Sequence, residues 1–165
     1  MRIFILSIVS VFLLSTVVAA QNTPPRLHDD DQVRLVAFRA LLKPWLPKPQ
    51  PERSASLAKS FYFSIEKGED PSDELMKALG EARVPLSKAS KSFISDAGGS
   101  GVMDKKTKKP GILFLIYKII WKSKDEVVVS AGNEEGNMSA YSCDYLIRRD
   151  DDGWRIVSAE NCMIS

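Results

Sequence analysis

The sequence predicts an α+β fold in which two N-terminal helices pack on a curved antiparallel sheet of about four to six strands, ending in a C-terminal meander. Two observations predict it. Helix-start signals occur early, at residues 29–31 and 70–74, whereas alternating strand patterns separated by turn residues occupy residues 111–165. One face of such a sheet must be covered, and the two early helices are the available cover.

Residues 1–20 have the order of parts found in a secretory signal peptide. Arg2 provides a positive charge, residues 3–17 form an apolar run, and small residues at 18–20 precede a polar glutamine. The run is shorter than the roughly 20 residues that span a bilayer, and no basic cluster follows it. We therefore expect cleavage rather than retention as an anchor, no membrane span after cleavage, and a periplasmic or extracellular location.

The chain that remains after cleavage is predicted to be one domain with a short arm. Residues 21–29 are rich in proline and polar residues and are predicted to form a flexible arm, and residues 30–165 a single α+β domain. The aspartates at 29–31 suit a helix N-terminus, because carboxylates complement the helix dipole. An apolar stripe over residues 33–42 continues this helix, and Pro44 ends it.

A connector and a strand separate the two predicted helices. Prolines in nearly alternate positions over residues 44–51 favour an extended connector, although a proline-rich ligand for an aromatic groove has the same pattern. Alternating apolar residues over 57–65 predict a strand. The second helix is expected to begin with Asp70 as its cap and Pro71 in its first position, and to end at Gly80.

The C-terminal half has the patterns of strands. Residues 84–94 predict one short strand, and the Gly- and Lys-rich residues 96–109 a loop or hairpin tip. Residues 112–121 are apolar at every position except Lys118, which predicts a central strand buried on both faces. Three further strands complete an antiparallel meander, at residues 125–131, 138–149 and 154–163, with turns at residues 123–124, 132–137 and 150–153.

The last predicted hairpin, YLIRRDDDGWRIVS over residues 145–158, resembles the closing hairpin of NTF2-like (cystatin-like α+β) domains. The order of elements is also similar, and the resemblance covers roughly residues 111–165. It implies a curved sheet wrapped around helices with a cone-shaped cavity between them. Family members include isomerases, dehydratases, hydrolases and non-catalytic binding subunits, so function stays open. Active members place an Asp/His or Tyr/Asp set in the cavity, whereas the single histidine here, His28, lies in the predicted arm.

Cys143 and Cys162 are a candidate disulfide in an exported chain. A two-residue turn at residues 152–153 places them directly opposite each other, at a Cα separation of about 5.5 Å that a disulfide can span. A four-residue loop at residues 150–153 instead places Cys143 opposite Glu160, with Cys162 diagonal to it. We expect a structural pair, bonded or as close thiols, rather than a redox-active one, because no C-x-x-C spacing is present.

Four residues are candidates for contacting a ligand: Tyr141, Tyr145, Trp121 and Lys118. Tyr141 and Tyr145 share one face of the third meander strand, and aromatic residues with polar tips line pockets, although they are also common in cores. Lys118 is the only charge in the central strand, so it is paired, extends to the sheet edge or points into a cavity. No catalytic residue or cofactor is predicted, because the sequence shows no acid–base set. No metal is predicted, since neither aspartate run has the spacing of a calcium loop.

The charge distribution limits the classes of function. A formal net charge of +2, with one short basic cluster at residues 105–109, lacks the basic stripe of a nucleic-acid-binding protein. The first hypothesis is a non-catalytic exported binding or accessory protein, whose partner is a small apolar ligand or another protein. The second is a small NTF2-like cavity enzyme, an isomerase or hydrolase, with a tyrosine as acid and Lys118 or a carboxylate as base. The third is a structural envelope protein.

Overall fold

Eight strands and two α-helices lie in the part of the chain that the structure, a computed structural model, describes: residues 27–46, 60–80, 85–95, 101–136 and 139–165. The helices are α1 (Asp29–Leu42) and α2 (Asp73–Leu79). The strands are β1 (Ser60–Ser64), β2 (Leu86–Lys88), β3 (Ser92–Ser95), β4 (Gly101–Asp104), β5 (Gly111–Ser123), β6 (Glu126–Gly136), β7 (Ser139–Asp150) and β8 (Gly153–Ile164). The predicted signal peptide, most of the predicted arm and most of the proline-rich connector lie outside the described residues.

All eight strands belong to one mixed sheet. β1 runs parallel to both of its neighbours, β2 and β5, whereas β5, β6, β7 and β8 pair antiparallel in sequence order. β4 pairs antiparallel with β3 and joins β6 through Gly101 and Gly136. The predicted four-strand meander is confirmed, and β5 is an interior strand between β1 and β6.

The predicted fold, two N-terminal helices on a purely antiparallel sheet, is wrong. α1 is the one main helix; α2 has 7 residues and packs against α1 and β2 instead of across the sheet. The sheet has eight strands and is mixed, because the chain returns alongside β1 in the same direction when it forms β5. A periodic pattern identifies a strand but does not specify which distant strand becomes its neighbour. No helix in the described part of the chain has the length and hydrophobicity of a membrane span.

α1 covers the inner face of the sheet. The predicted helix start is confirmed, and its buried residues recur at helical spacing, so that one side of the helix faces the strands: Val33, Ala37, Phe38, Leu41 and Leu42. Phe38 meets Phe63 edge-on with ring centroids 5.0 Å apart, and Phe63 stacks on Phe114 at 5.3 Å. Full burial of each such side chain contributes roughly 1.5–3 kcal/mol, so this cluster fixes α1 against β1 and β5.

A chain of polar contacts joins the first turns of the two helices. Ser72 caps α2 by accepting a backbone N–H over 3.1 Å, and its hydroxyl donates to Asp31 over 2.7 Å. Asp31 also accepts from Arg34 over 2.9 Å, and Arg34 donates to both carboxylate oxygens of Glu66 over 3.2 Å. The cap of α2 is therefore Ser72, and the prediction of Asp70 is wrong, since Asp70 accepts from a backbone N–H outside α2.

Several strand boundaries differ from those predicted. Residues 84–94 contribute to two strands, β2 and β3, and β4 occupies part of the predicted loop at 96–109. The second half of β5 is not buried on both faces: Tyr117 is 43% exposed and Trp121 39%. The first half is buried because α1 covers one face and Tyr62 and Val102 pack on the other.

β6 continues through most of the segment predicted to be a turn at 132–137. It ends at Gly136, and Gly132 lies within it. A methyl group at Gly132 would collide with the backbone of β7, at the Tyr141 carbonyl oxygen. The glycine therefore permits two strands to approach closely rather than reversing the chain.

Candidate functional site

A groove of about 330 Å³ lies between the C-terminal end of α1 and the adjoining ends of β6 and β7. The helix-side wall includes Leu41, Pro44 and Trp45. The sheet-side wall includes Asn133, Glu135, Tyr141 and Tyr145. The lining as a whole is mainly apolar, and its polar side chains lie on the sheet side.

The helix-side wall forms where α1 stops. Pro44 cannot continue the helix, because it lacks a backbone N–H, and the chain passes into a tighter helical turn, Lys43–Trp45. This turn brings Trp45 into the groove lining and, at the same time, against the hydrophobic core. The same signal that predicted the end of α1 therefore also positions an aromatic wall.

Tyr141 and Tyr145, both predicted to contact a ligand, line the sheet side of the groove. They occupy the inner face of β7, where Tyr141 pairs with Asn133 and Tyr145 with Val129 of β6. Tyr145 is 6% exposed. Burial, together with the neighbouring Tyr141 hydroxyl, raises the pKa of Tyr145 far above its ordinary value. Tyr145 is therefore a neutral phenol across the physiological pH range.

Asn133 is a buried polar residue in the same wall, only 8% exposed. Among the described residues, its side-chain amide has no hydrogen-bond partner. An Asn side chain offers two donors and an acceptor, so this amide can pair with a polar atom of a ligand in the groove.

Among the described lining residues, Glu135 is the one that carries a formal charge. Its carboxylate belongs to the lining, and no lysine or arginine is among the described residues that line the groove. Glu135 is already engaged in an interaction of its own.

The disulfide between Cys143 and Cys162 is present, with Cα atoms 4.2 Å apart. The Tyr141 hydroxyl lies 2.7 Å from Sγ of Cys143 and 3.7 Å from Sγ of Cys162. A disulfide sulfur carries no proton, so the hydroxyl is the donor. The bond thus joins the sheet-side wall of the groove to β8, and its predicted structural role is consistent with this position.

The register that produces this pairing combines features of both predicted alternatives. Next to the turn, Asp150 pairs with Gly153 and Arg149 with Trp154, which is the register of the four-residue loop. Two register shifts follow along the hairpin, between Leu146 and Ile147 and between Ser142 and Asp144. Together they restore the alignment that places Cys162 against Cys143.

Trp121, the third candidate, does not reach the groove. Its indole N–H donates to Asp30 over 3.1 Å, at the first turn of α1, and its ring meets Trp154 edge-on at 5.4 Å. The groove lies at the opposite end of this 14-residue helix, roughly 20 Å away at 1.5 Å per residue. The indole therefore holds the start of α1 on the sheet.

Lys118, the fourth candidate, lies on the other face of the sheet. It pairs with Ser130, which pairs with Asp144, and Asp144 precedes Tyr145 on β7. Successive residues of a strand point to opposite faces, so Lys118 and Tyr145 face away from each other. Lys118 is exposed. The structure brings Tyr141 and Tyr145 together but separates both from Lys118 and Trp121.

Sequence reasoning missed Asn133 and Glu135 as site residues. Both fell within the predicted turn at 132–137, because two glycines and two asparagines there have the composition of a turn. The signal that could have identified them is the alternation of Val127, Val129 and Ala131, which continues in phase through both positions.

The described residues contain no group of three or more His, Cys, Asp or Glu side chains that could hold a metal ion. Comparisons with family models, curated proteins and solved structures give no match to this chain. The resemblance to NTF2-like domains therefore stays a prediction from residues 111–165.

Proposed function

We propose that this chain is an exported, non-catalytic binding protein whose groove holds a small, mostly apolar ligand. The observation that carries the proposal is the combination of Trp45, Tyr141 and Tyr145 around one opening, beside the buried amide of Asn133. Small-molecule sites typically combine apolar and aromatic walls with a few placed polar groups, and volumes from about 300 Å³ upward are usual for them.

The position of Lys118 removes one version of the cavity enzyme. A cavity enzyme of the predicted kind needs an acid and a base within hydrogen-bond reach of one substrate. Lys118, one of the two bases considered for it, is on the opposite face of the sheet from Tyr145. The other, a carboxylate, has a candidate in Glu135 of the groove lining. No observation favours the enzyme or the structural envelope protein over the binding protein.

Two features support export. Residues 1–20 have the composition of a cleaved secretory signal. The disulfide between Cys143 and Cys162 is a type of bond that persists in oxidising compartments. Expression of the full chain in a host with a secretory pathway, followed by N-terminal sequencing of the exported product, tests this part; a new terminus at Gln21 is expected. Recovery of an uncleaved chain in the cytosol would contradict it.

The groove is tested with a neutral, environment-sensitive dye. We expect Nile red to bind the purified protein with a blue shift in its emission. Ala40 lines the groove on the helix side, so Ala40→Trp should fill it and weaken dye binding about tenfold, the equivalent of roughly 1.4 kcal/mol of lost contacts.

Ala78→Trp is the matched control. Ala78 is also a half-buried helical alanine, in α2, and does not line the groove. This variant should bind the dye as the original protein does. Equal dye binding by Ala40→Trp and the original protein would show that the groove is not the binding site and would overturn the proposal.

A further inference from the structure

The two cysteines of the disulfide differ in accessibility. Cys143 belongs to the hydrophobic core and is 2% exposed, whereas Cys162 is exposed on β8. A thiolate that attacks a disulfide must reach one of the two sulfurs, and access decides which sulfur it attacks. Of the two, Cys162 is the one that a thiolate in solution can reach.

The strand pairing favours attack at the same sulfur. A thiolate displaces one sulfur from the other most readily when it approaches from the side opposite the bond that breaks. Behind Cys143 lies β6, whose Ala131 is its register partner. Among the described residues β8 pairs with β7 alone, so no strand lies behind Cys162. The free edge of the sheet is therefore the side from which a thiolate approaches.

A hydrogen-bond donor lies at the sulfur that would leave. The Tyr141 hydroxyl is 2.7 Å from Sγ of Cys143 and 3.7 Å from Sγ of Cys162. Breaking the bond with its electron pair on Cys143 produces a thiolate at a buried position, where burial disfavours the charged form. The hydroxyl already donates to this sulfur, and a hydrogen bond to a charged acceptor is roughly twice as strong as one to a neutral acceptor.

We propose that the disulfide is a thiol-exchange site at which Cys162 takes up an external thiol. The external thiolate attacks Sγ of Cys162 and forms a new S–S bond with it. The bond to Cys143 breaks, and its electron pair stays on Sγ of Cys143, which accepts the hydrogen bond from Tyr141. The external thiol is thereby oxidised and Cys143 is reduced, and the reverse steps restore the disulfide.

The exchange adds to the structural role of the bond. The absence of a C-x-x-C spacing predicted a structural pair, and the closed disulfide joins β7 to β8. Opening it at Cys162 releases β8, the strand at the edge of the sheet, while Cys143 stays in the core. The inference goes beyond the proposed function and does not depend on a ligand in the groove.

The first test locates the mixed disulfide. The oxidised protein is incubated with reduced and oxidised glutathione, and exchange is stopped with acid at early times. Digestion at acidic pH and mass spectrometry then identify the cysteine that carries glutathione. We expect about tenfold more glutathione on Cys162 than on Cys143. Equal labelling of the two cysteines, or no labelling of the folded protein, would overturn the proposal.

Two variants measure access to each sulfur separately. Cys143→Ser leaves the thiol of Cys162, and Cys162→Ser leaves the thiol of Cys143. Each variant lacks the disulfide, so each is the control for the loss of the bond in the other. We expect oxidised glutathione to modify Cys143→Ser about tenfold faster than Cys162→Ser. Equal rates would contradict the assignment of Cys162 as the attacked sulfur.

Tyr141→Phe tests the hydrogen-bond donor. The substitution should slow attack by glutathione on the disulfide about tenfold, because the leaving thiolate loses its donor. Tyr117→Phe, at a tyrosine of β5, is the control for loss of a phenol and should keep the original rate. A purely structural role of Tyr141 predicts the opposite sign, since a loosened hairpin exposes the sulfurs and speeds attack. An unchanged or faster rate in Tyr141→Phe would overturn the proposal.

Discussion

The side-chain amide of Asn161 donates to the carboxylate of Asp144 over 2.9 Å, and Asn161 has a φ of 50°, in the left-handed region. The two residues face each other across the β7–β8 register shift that brings Cys162 opposite Cys143. Asn is one of the few non-glycine residues that adopt this backbone conformation readily. A polar contact therefore stabilises the irregularity on which the disulfide depends.

Asp144→Ala tests this contact. The substitution leaves the Ser130 hydroxyl and the Asn161 amide without their shared acceptor, and it should lower the free energy of unfolding by about 1–2 kcal/mol. Urea denaturation measures the change. Asp151→Ala, at an exposed position in the hairpin turn, is the control and should stay within about 0.5 kcal/mol of the original protein. Equal stability of Asp144→Ala and Asp151→Ala would contradict the role given to Asp144.

The disulfide should contribute substantially to stability. Its cysteines are 19 residues apart, and closing a loop of this length stabilises a protein by about 3 kcal/mol. We expect the double variant Cys143→Ala/Cys162→Ala to unfold at a correspondingly lower urea concentration than the oxidised protein. The original protein under reducing conditions is the control and should resemble the variant. No difference between the oxidised and reduced forms would rule out the bond as a source of stability.

Gly132→Ala should be poorly tolerated. The added methyl group would meet the Tyr141 carbonyl oxygen and lie 3.0 Å from Cα of Ser142, forcing β6 and β7 apart beside the groove. We expect a loss of about 2 kcal/mol or more in the free energy of unfolding.

Gly80→Ala is its control. No atom lies within 4 Å of an added methyl group there, and Gly80 has helical backbone angles, so the change should be neutral or stabilising by up to about 1 kcal/mol. Thermal unfolding of both variants makes the comparison, and similar melting temperatures would show that the strands tolerate the methyl group.

A pH-dependent contribution is expected from Asp104 and Tyr62. The Tyr62 hydroxyl donates to Asp104 over 2.6 Å. That bond, followed by the backbone N–H groups of Thr107 and Lys106, lowers the pKa of Asp104 from 3.8 to about 2. Burial, and then the bond, raise the pKa of Tyr62 from 10.0 to about 12. The stabilisation from ionised Asp104 is complete above pH 3.8 and is lost as the pH falls through 2. The stabilisation from neutral Tyr62 is complete below pH 10.0 and is lost as the pH rises through 12.

The measurement is the difference in unfolding free energy between the original protein and Tyr62→Phe over this pH range. It should be largest between pH 3.8 and 10.0 and shrink toward both extremes. Tyr117→Phe, at a half-exposed tyrosine, is the control for loss of a phenol. A difference that stays constant with pH would show that the Tyr62–Asp104 bond does not control these pKa values.

The sequence predicted the C-terminal meander and the cysteine pair because both depend on local patterns. Alternation and turn residues mark β7 and β8, and the residue count brings Cys143 near Cys162. The turn alone would have given the wrong register, since the two shifts that correct it depend on contacts such as that between Asn161 and Asp144. Nothing in the local pattern specifies those contacts.

The rest of the fold depended on long-range pairing. The parallel contact of Phe61 with Ile112 joins segments about fifty residues apart, and no periodic pattern indicates it. The candidate site was predicted only in part. Tyr141 and Tyr145 were identified from the alternation of one strand, which is a local pattern. Trp45 and Asn133 enter the groove only because α1 ends beside β6.

The two register shifts in β8 have a consequence for how the protein behaves in concentrated solution. Among the described residues β8 pairs with β7 alone, and it exposes Val157 and Met163, 42% and 68% accessible. A long, flat, apolar strand of this kind would be a template for aggregation with neighbouring molecules. The bulges interrupt its row of free N–H and C=O groups and increase its twist, so the strand is a poor template for intermolecular β-pairing.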